Sequence, residues 1–286
     1  MPTQLLHIFR NNPLGREILL QSLFFCKVVR ASLVIYIPRH KQFLMDFENN
    51  VVKVDLDKSY LTSPQTAVEH ATQLAGQNGI PIKFIIIENS PVPVIHNVQS
   101  NFDFMTCPRS ISDLSSKIGL GYIGPRVRRI VNSARFPVLL TSPAFKKWQR
   151  IAVFFGGSAN AVKALKLGLR IGRVSGLPVD VFTQMEDVSR KSYEKVVEKN
   201  YLKKEMNRRV IKWHVFEKES FEENLYQVPH DALVVLGAFG HSLLKDIVFG
   251  SKMEKIQSIL PNNLLIAGPN YTEPNTSIPA WFPSLG

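Results

Sequence analysis

The segment from residue 237 to residue 251 carries the spacing of residue types that most directly suggests chemistry. Gly237 and Gly240 follow the apolar run ALVVL at 232–236, and after nine intervening residues Gly250 is followed by Ser251. A strand that leads into a glycine-rich loop and then into a helix places backbone amides around a phosphate group. Glycine suits such a loop because, without a Cβ atom, it adopts φ > 0 and lets a ligand approach the backbone closely.

The residues after this loop predict a helix that begins at the same place. Ser251 and Glu254 form a capping-box pattern, and Met253 and Ile256 follow at helical spacing. The N–H groups of the first turn and the positive end of the helix dipole would face the loop, and Lys252 adds a full charge there. The alternative is structural: Ser251 only caps a helix, and the glycines only form a tight turn.

The pattern G-x2-G-x9-G-[ST] after an apolar strand resembles the ATP-binding signature of the universal stress protein family. DALVVLGAFG (231–240) is similar to the family's fourth-strand segment, and RIAVFFGGSANAVKALKLGLRIG (150–172) resembles its first strand, turn and helix. The resemblance covers most of 148–268 and, much more faintly, 4–143. It implies a Rossmann-type α/β fold (adenine-nucleotide alpha-hydrolase-like), a stress-response or regulatory role, and ATP or another adenine nucleotide as ligand, with Mg²⁺ as an optional accompanying ion.

On this resemblance the nucleotide site lies at the strand ends and the glycine loop of the second half. The predicted nucleotide-binding residues are Gly156, Gly157, Gln184, Leu236, Gly237, Gly240, Gly250, Ser251 and Lys252. Gly156 departs from the family pattern, because members that bind ATP usually carry an aspartate at that position. The missing carboxylate removes one or two hydrogen bonds to the ligand, about 1 kcal/mol each. ATP, AMP, another nucleotide and an empty pocket therefore all stay open.

The chain repeats the same order of apolar strand candidates in its two halves. They lie at 5–9, 31–38, 81–88, 103–107 and 136–142 in the first half, and at 151–155, 177–184, 210–217, 232–236 and 263–268 in the second. A length of 286 residues suits two domains, on the usual prior of roughly 150 residues each. We therefore predict domains at 1–145 and 146–286, the second ending in an irregular tail from Pro269.

Helical candidates between these strands define the fold class. They lie at 14–29, 64–77, 126–133, 159–173, 188–207 and 251–260. Short apolar strands that alternate with helices predict open parallel sheets, since each parallel pair needs a crossover connection. The ligands of such sheets bind beyond the carboxyl ends of the strands. The resemblance further implies that the last strands of the two tandem domains pair as an intramolecular pseudo-dimer, with a further homodimer as an option.

The first half lacks most of the glycine motif. Cys107 or Pro108 matches a motif glycine, and Pro125 after Gly124 removes a backbone donor. GLGYIG at 119–124 fits the dinucleotide pattern G-x-G-x-x-G, but a polar segment rather than a buried strand precedes it. We therefore expect the first half to be a structural partner and not a second nucleotide site.

The formal net charge of +12 calls for an explanation. One predicted helix face carries Lys163, Lys166, Arg170 and Arg173. Further basic clusters lie at 126–129 and 203–209. Bound phosphates, an acidic protein partner or nucleic acid would each be attracted to such surfaces, and a solvated basic exterior is the simpler interpretation. Nucleic acid is not expected, because no aromatic residues interleave with these charges for stacking.

Composition narrows the class of protein. Hydrophobic residues make up 45% and charged residues 20%, as in ordinary globular proteins. No apolar stretch approaches the roughly 20 residues of a membrane span, so no membrane partner is expected. Cys26 and Cys107 are the only cysteines, which does not suggest a disulfide framework, and a cytoplasmic location is the default expectation.

Catalytic chemistry has little support in the sequence. The seven histidines show no H-x-x-x-H or Cys–His spacing, no G-x-S-x-G elbow occurs, and no lysine follows the glycines as in a P-loop. We predict no catalytic residues and no protein-bound metal site. Three functions remain: a nucleotide-binding regulator that acts through an unidentified protein partner, a scaffold of the same fold that has lost nucleotide binding, and a slow ATPase.

Overall fold

The chain divides into two compact units in a computed structural model. The structure describes residues 2–48, 50–88, 90–109, 111, 123–185, 188–217, 220–238 and 259–273. Unit 1 contains the described residues of 2–111, 124–147 and 272–273, and unit 2 contains residue 123 and the described residues of 148–271.

Unit 1 is built on a parallel sheet. Its elements in chain order are β1 (Gln4–Ile8), α1 (Pro13–Val29), β2 (Ser32–Tyr36), β3 (Gln42–Asp46), β4 (Val51–Asp55), a 3₁₀ helix (Lys58–Tyr60), α2 (Pro64–Asn78), β5 (Ile82–Ile85), β6 (Val94–Ile95), α3 (Val98–Asn101), β7 (Phe104–Pro108), α4 (Pro125–Ser133) and β8 (Val138–Thr141). Within this unit the strand order of the main sheet is β8-β7-β1-β2-β5, and each neighbouring pair is parallel.

Unit 2 repeats this arrangement. Its described elements are β9 (Arg150–Phe154), α5 (Ala159–Ser175), β10 (Val179–Gln184), α6 (Arg190–Lys199), α7 (Lys203–Arg209), β11 (Val210–Phe216), α8 (Phe221–Leu225), β12 (Ala232–Gly237) and β13 (Leu264–Ala267). The strand order is β11-β10-β9-β12-β13, again with parallel pairs throughout. The tandem α/β fold predicted from the repeat is thus confirmed, and all ten predicted strands are present.

Side-chain and glycine caps fix the ends of the long helices that follow the first strand of each unit. In α1, the Asn12 side chain accepts a hydrogen bond of 2.7 Å from the Gly15 N–H. In α5, Ser158 accepts one of 3.2 Å from the Ala161 N–H, and Gly176 with φ 73° ends the helix. These caps determine where each helix starts relative to the strand before it.

Two glycines let α5 lie close against its sheet. Gly168 and Gly172 are buried, four residues apart, on the face of α5 that packs on β9 and β10. A Cβ atom at Gly168 would overlap the Val153 side chain, and one at Gly172 would overlap the Val179 side chain. The small residues therefore set the distance between the helix and the strands.

Unit 1 also contains a three-stranded sheet that the sequence analysis did not predict. β3 and β4 form an antiparallel hairpin, and β6 pairs with β3. Phe43, Met45, Val52 and Val54 are buried, which is the alternation of a half-buried hairpin. The strand prediction was based on the order that the two halves share, so it could not include a sheet that is present in unit 1 only.

The prediction of a single helix over 188–207 is wrong, because α6 ends at Lys199 and α7 begins at Lys203. Leu202 is buried between them, and its N–H donates to the Val197 carbonyl at 3.0 Å. The chain must turn to bury Leu202, and Tyr201 makes the turn with a left-handed φ of 59°.

Cys26 in α1 and Cys107 in β7 are both buried and free. Burial raises the pKa of both thiols well above its ordinary value, which makes them unreactive. In the described part of the chain, no helix combines the length and the apolar character needed to cross a membrane.

Candidate functional site

The strand order of unit 2 places a crevice between β9 and β12. The chain leaves β9 toward β10 on one side, whereas β12 pairs with β9 on the other side. Connections therefore diverge at the carboxyl ends of β9 and β12, which is the topological switch point where open α/β sheets bind ligands. The glycines predicted for the site follow these two strands or lie at their ends.

The turn after β9 brings two of these glycines to the start of α5. Gly156 and Gly157 follow the strand, and Ser158 caps the helix. Gly157 has φ 77°, and a Cβ atom there would lie 3.3 Å from the Tyr193 ring. This conformation favours glycine on both counts. The positive end of the α5 dipole consequently lies at the crevice, where it favours an anionic group.

The end of β12 lies directly against the first turn of α5. A Cβ atom at Gly237 would overlap the backbone of Asn160, so only glycine permits this approach. The Asn160 side-chain amide also donates to the Ala238 carbonyl. Two backbone segments 77 residues apart in sequence are thereby held together at the point where the chain enters the predicted glycine loop.

The end of β10 contributes a polar side chain, Gln184, which makes hydrogen bonds within unit 2. Gln184 ends β10, and its side-chain oxygen accepts a hydrogen bond of 2.6 Å from the Asn224 amide. The Tyr193 hydroxyl lies 3.5 Å from the Gln184 carbonyl. Asn224 is buried at the end of α8, so this contact fixes the orientation of the Gln184 amide.

The structure brings five predicted site residues to the same edge of the unit 2 sheet: Gly156, Gly157, Gln184, Leu236 and Gly237. The other four, Gly240, Gly250, Ser251 and Lys252, lie outside the described residues. Sequence reasoning missed Asn160, Tyr193 and Asn224, which support this edge through hydrogen bonds and packing. Their roles depend on residues distant in sequence, and no local pattern signals them.

The equivalent edge of unit 1 is filled by the chain itself. Tyr60 in the 3₁₀ helix is only 4% exposed, and the Arg10 guanidinium just after β1 lies 5.3 Å from its ring centroid. Arg10 also lies 3.9 Å from the Asp57 carboxylate. Burial raises the pKa of the Tyr60 hydroxyl strongly, Arg10 lowers it, and Asp57 and, less strongly, Cys107 at the end of β7 raise it further. Tyr60 thus lies at the switch point between β1 and β7.

The basic face predicted on α5 makes contacts within unit 2. The Lys163 ammonium donates to the Pro269 carbonyl at 3.3 Å, and the Arg170 guanidinium donates to the Tyr271 hydroxyl at 3.2 Å. Tyr271 is buried. Part of this basic face therefore anchors the segment that follows β13, a role that the charge pattern did not reveal.

The fold and the crevice define a class: a protein of two α/β units, each with a parallel sheet, and a glycine-lined strand edge at the switch point of the second unit. No protein-family model matches the chain. A curated relative, the universal stress protein Slr1230 from Synechocystis sp., is 22% identical over 227 residues, which cover 74% of this chain and 73% of the relative.

Solved structures agree on the fold. A universal stress protein from Archaeoglobus fulgidus has a TM-score of 0.63 at 14% identity, with 93% of this chain and 96% of the other covered. The cytoplasmic domain of a prokaryotic cation chloride cotransporter has a TM-score of 0.51 at 12% identity, with 93% and 95% covered. The chain is thus similar in sequence to a curated universal stress protein and in fold to solved ones, which confirms the predicted resemblance to this family.

Proposed function

We propose that unit 2 binds an adenine nucleotide, with ATP as the first candidate, and that the chain acts as a nucleotide-dependent regulatory protein of the universal stress type. The nucleotide would lie in the crevice between the ends of β9 and β12. Its phosphates would be held by Gly240, Gly250 and Ser251, with Lys252 supplying positive charge.

One observation carries this proposal: the end of β12 lies against the first turn of α5 without an intervening side chain. Gly237 allows this contact, and Asn160 secures it through the Ala238 carbonyl. The start of the glycine loop therefore lies beside the N-terminus of α5, a helix of 17 residues. Backbone amides and a helix dipole that converge on one crevice are suited to a phosphate group.

Thermal unfolding of the full chain in the presence of ATP, AMP or inorganic phosphate tests the proposal. If only the native state binds, ATP at one hundred times its dissociation constant stabilises the protein by about 2.7 kcal/mol. Mass spectrometry of protein purified without added nucleotide should also detect a bound adenine nucleotide. Phosphate release measured in the same samples would identify slow hydrolysis.

Two glycine variants make the test specific to the predicted loop. Gly240→Val should abolish the ATP-dependent stabilisation, because a β-branched side chain disfavours φ > 0 and blocks the approach of the ligand. Gly124→Ala is the matched control in unit 1, where Gly124 has an ordinary φ of −59°, and it should change the affinity less than about twofold. Unchanged unfolding temperatures at millimolar ATP and AMP would reject nucleotide binding.

A scaffold without a nucleotide is the second candidate function, and two features of the crevice favour it. Gly156 offers no carboxylate to a ligand, and the Gln184 side-chain oxygen is already bound by Asn224. In that case the same fold would serve only to present surfaces to a protein partner. Failure of every nucleotide to shift the unfolding temperature, together with intact folding, supports this candidate.

A further inference from the structure

The turn between α6 and α7, residues 199–204, presents an aromatic side chain among lysines on the outside of unit 2. We refer to this segment as the basic corner. Lys199, Lys203 and Lys204 are exposed, and Tyr201 is 92% exposed. In the part of the chain that the structure describes, no other large hydrophobic side chain is as exposed as Tyr201.

The backbone holds Tyr201 outward in a conformation that tyrosine disfavours. Its φ of 59° lies in the left-handed region, where glycine or asparagine is more stable. The Tyr201 N–H donates to the Glu198 carbonyl at 2.9 Å, and the buried Leu202 beside it anchors the turn. The turn thus exposes the phenol ring of Tyr201 to water and holds its backbone in a strained conformation. Such strain indicates a role for Tyr201 other than folding.

Positive charge is concentrated around this turn. The segment 190–212 contains nine basic and three acidic residues, which amounts to half of the formal net charge of +12. Each of the three carboxylates has a basic partner: Glu194 with Arg190 at 3.1 Å, Glu198 with Lys203 at 2.6 Å, and Glu205 with Arg173 at 3.9 Å. The remaining lysines and arginines give the corner a surplus of positive charge.

The exposed lysines of α6 extend the basic corner along one helix face. Lys191, Lys195 and Lys199 recur every four residues and are exposed, whereas Tyr193 and Val197 on the other face are buried. The basic corner is therefore continuous with a row of lysines.

A second exposed apolar side chain lies at the start of β11, the strand that directly follows α7. Ile211 is 74% exposed, at an irregularity in the pairing of β11 with β10. Trp213 lines a recess of about 310 Å³ together with Lys203 and Met206. Apolar groups and lysines therefore both occur where α6, α7 and the start of β11 come together, and Glu194 and Glu198 also line the recess.

We propose that the basic corner docks on the surface of an anionic lipid bilayer, although the sequence alone, which has no membrane span, predicts no membrane partner. Tyrosine prefers the headgroup region, where the ring is in an apolar environment and the hydroxyl stays hydrated. Lysine side chains reach phosphate or carboxylate headgroups with flexible apolar stems and strengthen binding roughly fivefold each. A single-stranded nucleic acid fits less well, because successive bases need several stacking aromatics and the basic corner presents Tyr201 alone.

Sedimentation of the full chain with vesicles tests this proposal. Vesicles of phosphatidylcholine with about one third phosphatidylserine should bind the protein at about 0.15 M salt, whereas pure phosphatidylcholine vesicles should not. The double variant Lys199→Glu and Lys204→Glu should weaken binding about 25-fold or more, because two charges are reversed. Tyr201→Asn should weaken vesicle binding by about threefold or more, because the ring at the interface is lost.

The variants also separate docking from folding. Because asparagine tolerates the left-handed conformation, Tyr201→Asn should raise the unfolding temperature while it lowers vesicle binding; a structural role would lower both. Lys146→Glu with Lys147→Glu changes the net charge equally at two exposed residues elsewhere and should leave binding within about threefold. Equal loss in this control, equal binding to neutral vesicles, or Tyr201-dependent binding of oligo(dT) in place of vesicles would overturn the proposal.

Discussion

His7 in β1 is a buried titratable group that contacts a hydroxyl group. Its Nδ1 lies 2.9 Å from the Ser22 hydroxyl, and Ser22 donates in turn to Thr106 at 3.0 Å. Among the described residues, the His7 Nε2 atom has no hydrogen-bond partner. Burial lowers the pKa of His7 from its ordinary value of 6.5 to about 3, so the ring is neutral in the folded protein.

We expect this histidine to make the protein less stable in mild acid. The unfolded chain binds a proton at His7 near pH 6.5 and the folded chain does so near pH 3, so stability is lost as pH falls through this window. The slope due to His7 approaches about 1.4 kcal/mol per pH unit. Urea unfolding between pH 4 and pH 7.5 measures it.

A pair of variants assigns this slope to its residue. His7→Gln should reduce the dependence of unfolding free energy on pH below about 6.5, whatever its effect on absolute stability. His230→Gln makes the same substitution at an exposed histidine and serves as the control for the change of side chain. An unaltered slope in His7→Gln would assign the acid sensitivity to other groups.

At the scale of elements, the close contact between α5 and its sheet depends on two glycines, Gly168 and Gly172, which have no side chain. Gly168 lies against Val153, which is fully buried and, being β-branched, has little freedom to move aside. By contrast, Gly76 in α2 faces open space. The same substitution should therefore have opposite effects in the two helices.

We predict that Gly168→Ala destabilises the protein by about 1–3 kcal/mol, because the added methyl group overpacks the core. Gly76→Ala should stabilise it by about 0.5–1 kcal/mol, because alanine restricts the unfolded chain and favours the helix. Chemical unfolding of both variants beside the natural chain provides the measurement. Stabilisation by Gly168→Ala would show that α5 can move away from β9.

The strands of the main sheets were predictable because they are short, mostly apolar runs that recur in the same order in both halves. The break at Tyr201 was not, because it depends on the burial of Leu202 in the folded unit. At the crevice, Gly156 and Gly157 could be found because the segment 150–172 resembles the family's first strand, turn and helix. Asn160 could not, since its amide acts on a carbonyl 78 residues away.

At the scale of the whole chain, the two units share one strand order and differ at the equivalent edge. Unit 2 has glycines where its connections diverge, whereas unit 1 has Tyr60 beneath Arg10. This difference supports the sequence-based prediction that only the second half binds a nucleotide.

Titration calorimetry should accordingly give one nucleotide per chain. Gly237→Ala should remove that binding, because its methyl group would push β12 away from Asn160 and displace the loop. Tyr60→Ala should lower stability by about 3–5 kcal/mol through the cavity it leaves, without loss of nucleotide affinity. Two equivalent sites per chain would contradict this asymmetry.

The Tyr60 contact also bears on how long the protein survives. Tyr60 and Arg10 are part of the chain, so unit 1 keeps its crevice filled whatever the nucleotide supply. A nucleotide bound as proposed would instead stabilise unit 2 by an amount that grows with the logarithm of the free nucleotide concentration. A protease that attacks transiently opened segments would then cut unit 2 first when the nucleotide is scarce. If unit 2 binds as proposed, the abundance of this protein would follow the supply of its ligand through degradation alone, without any change in its synthesis.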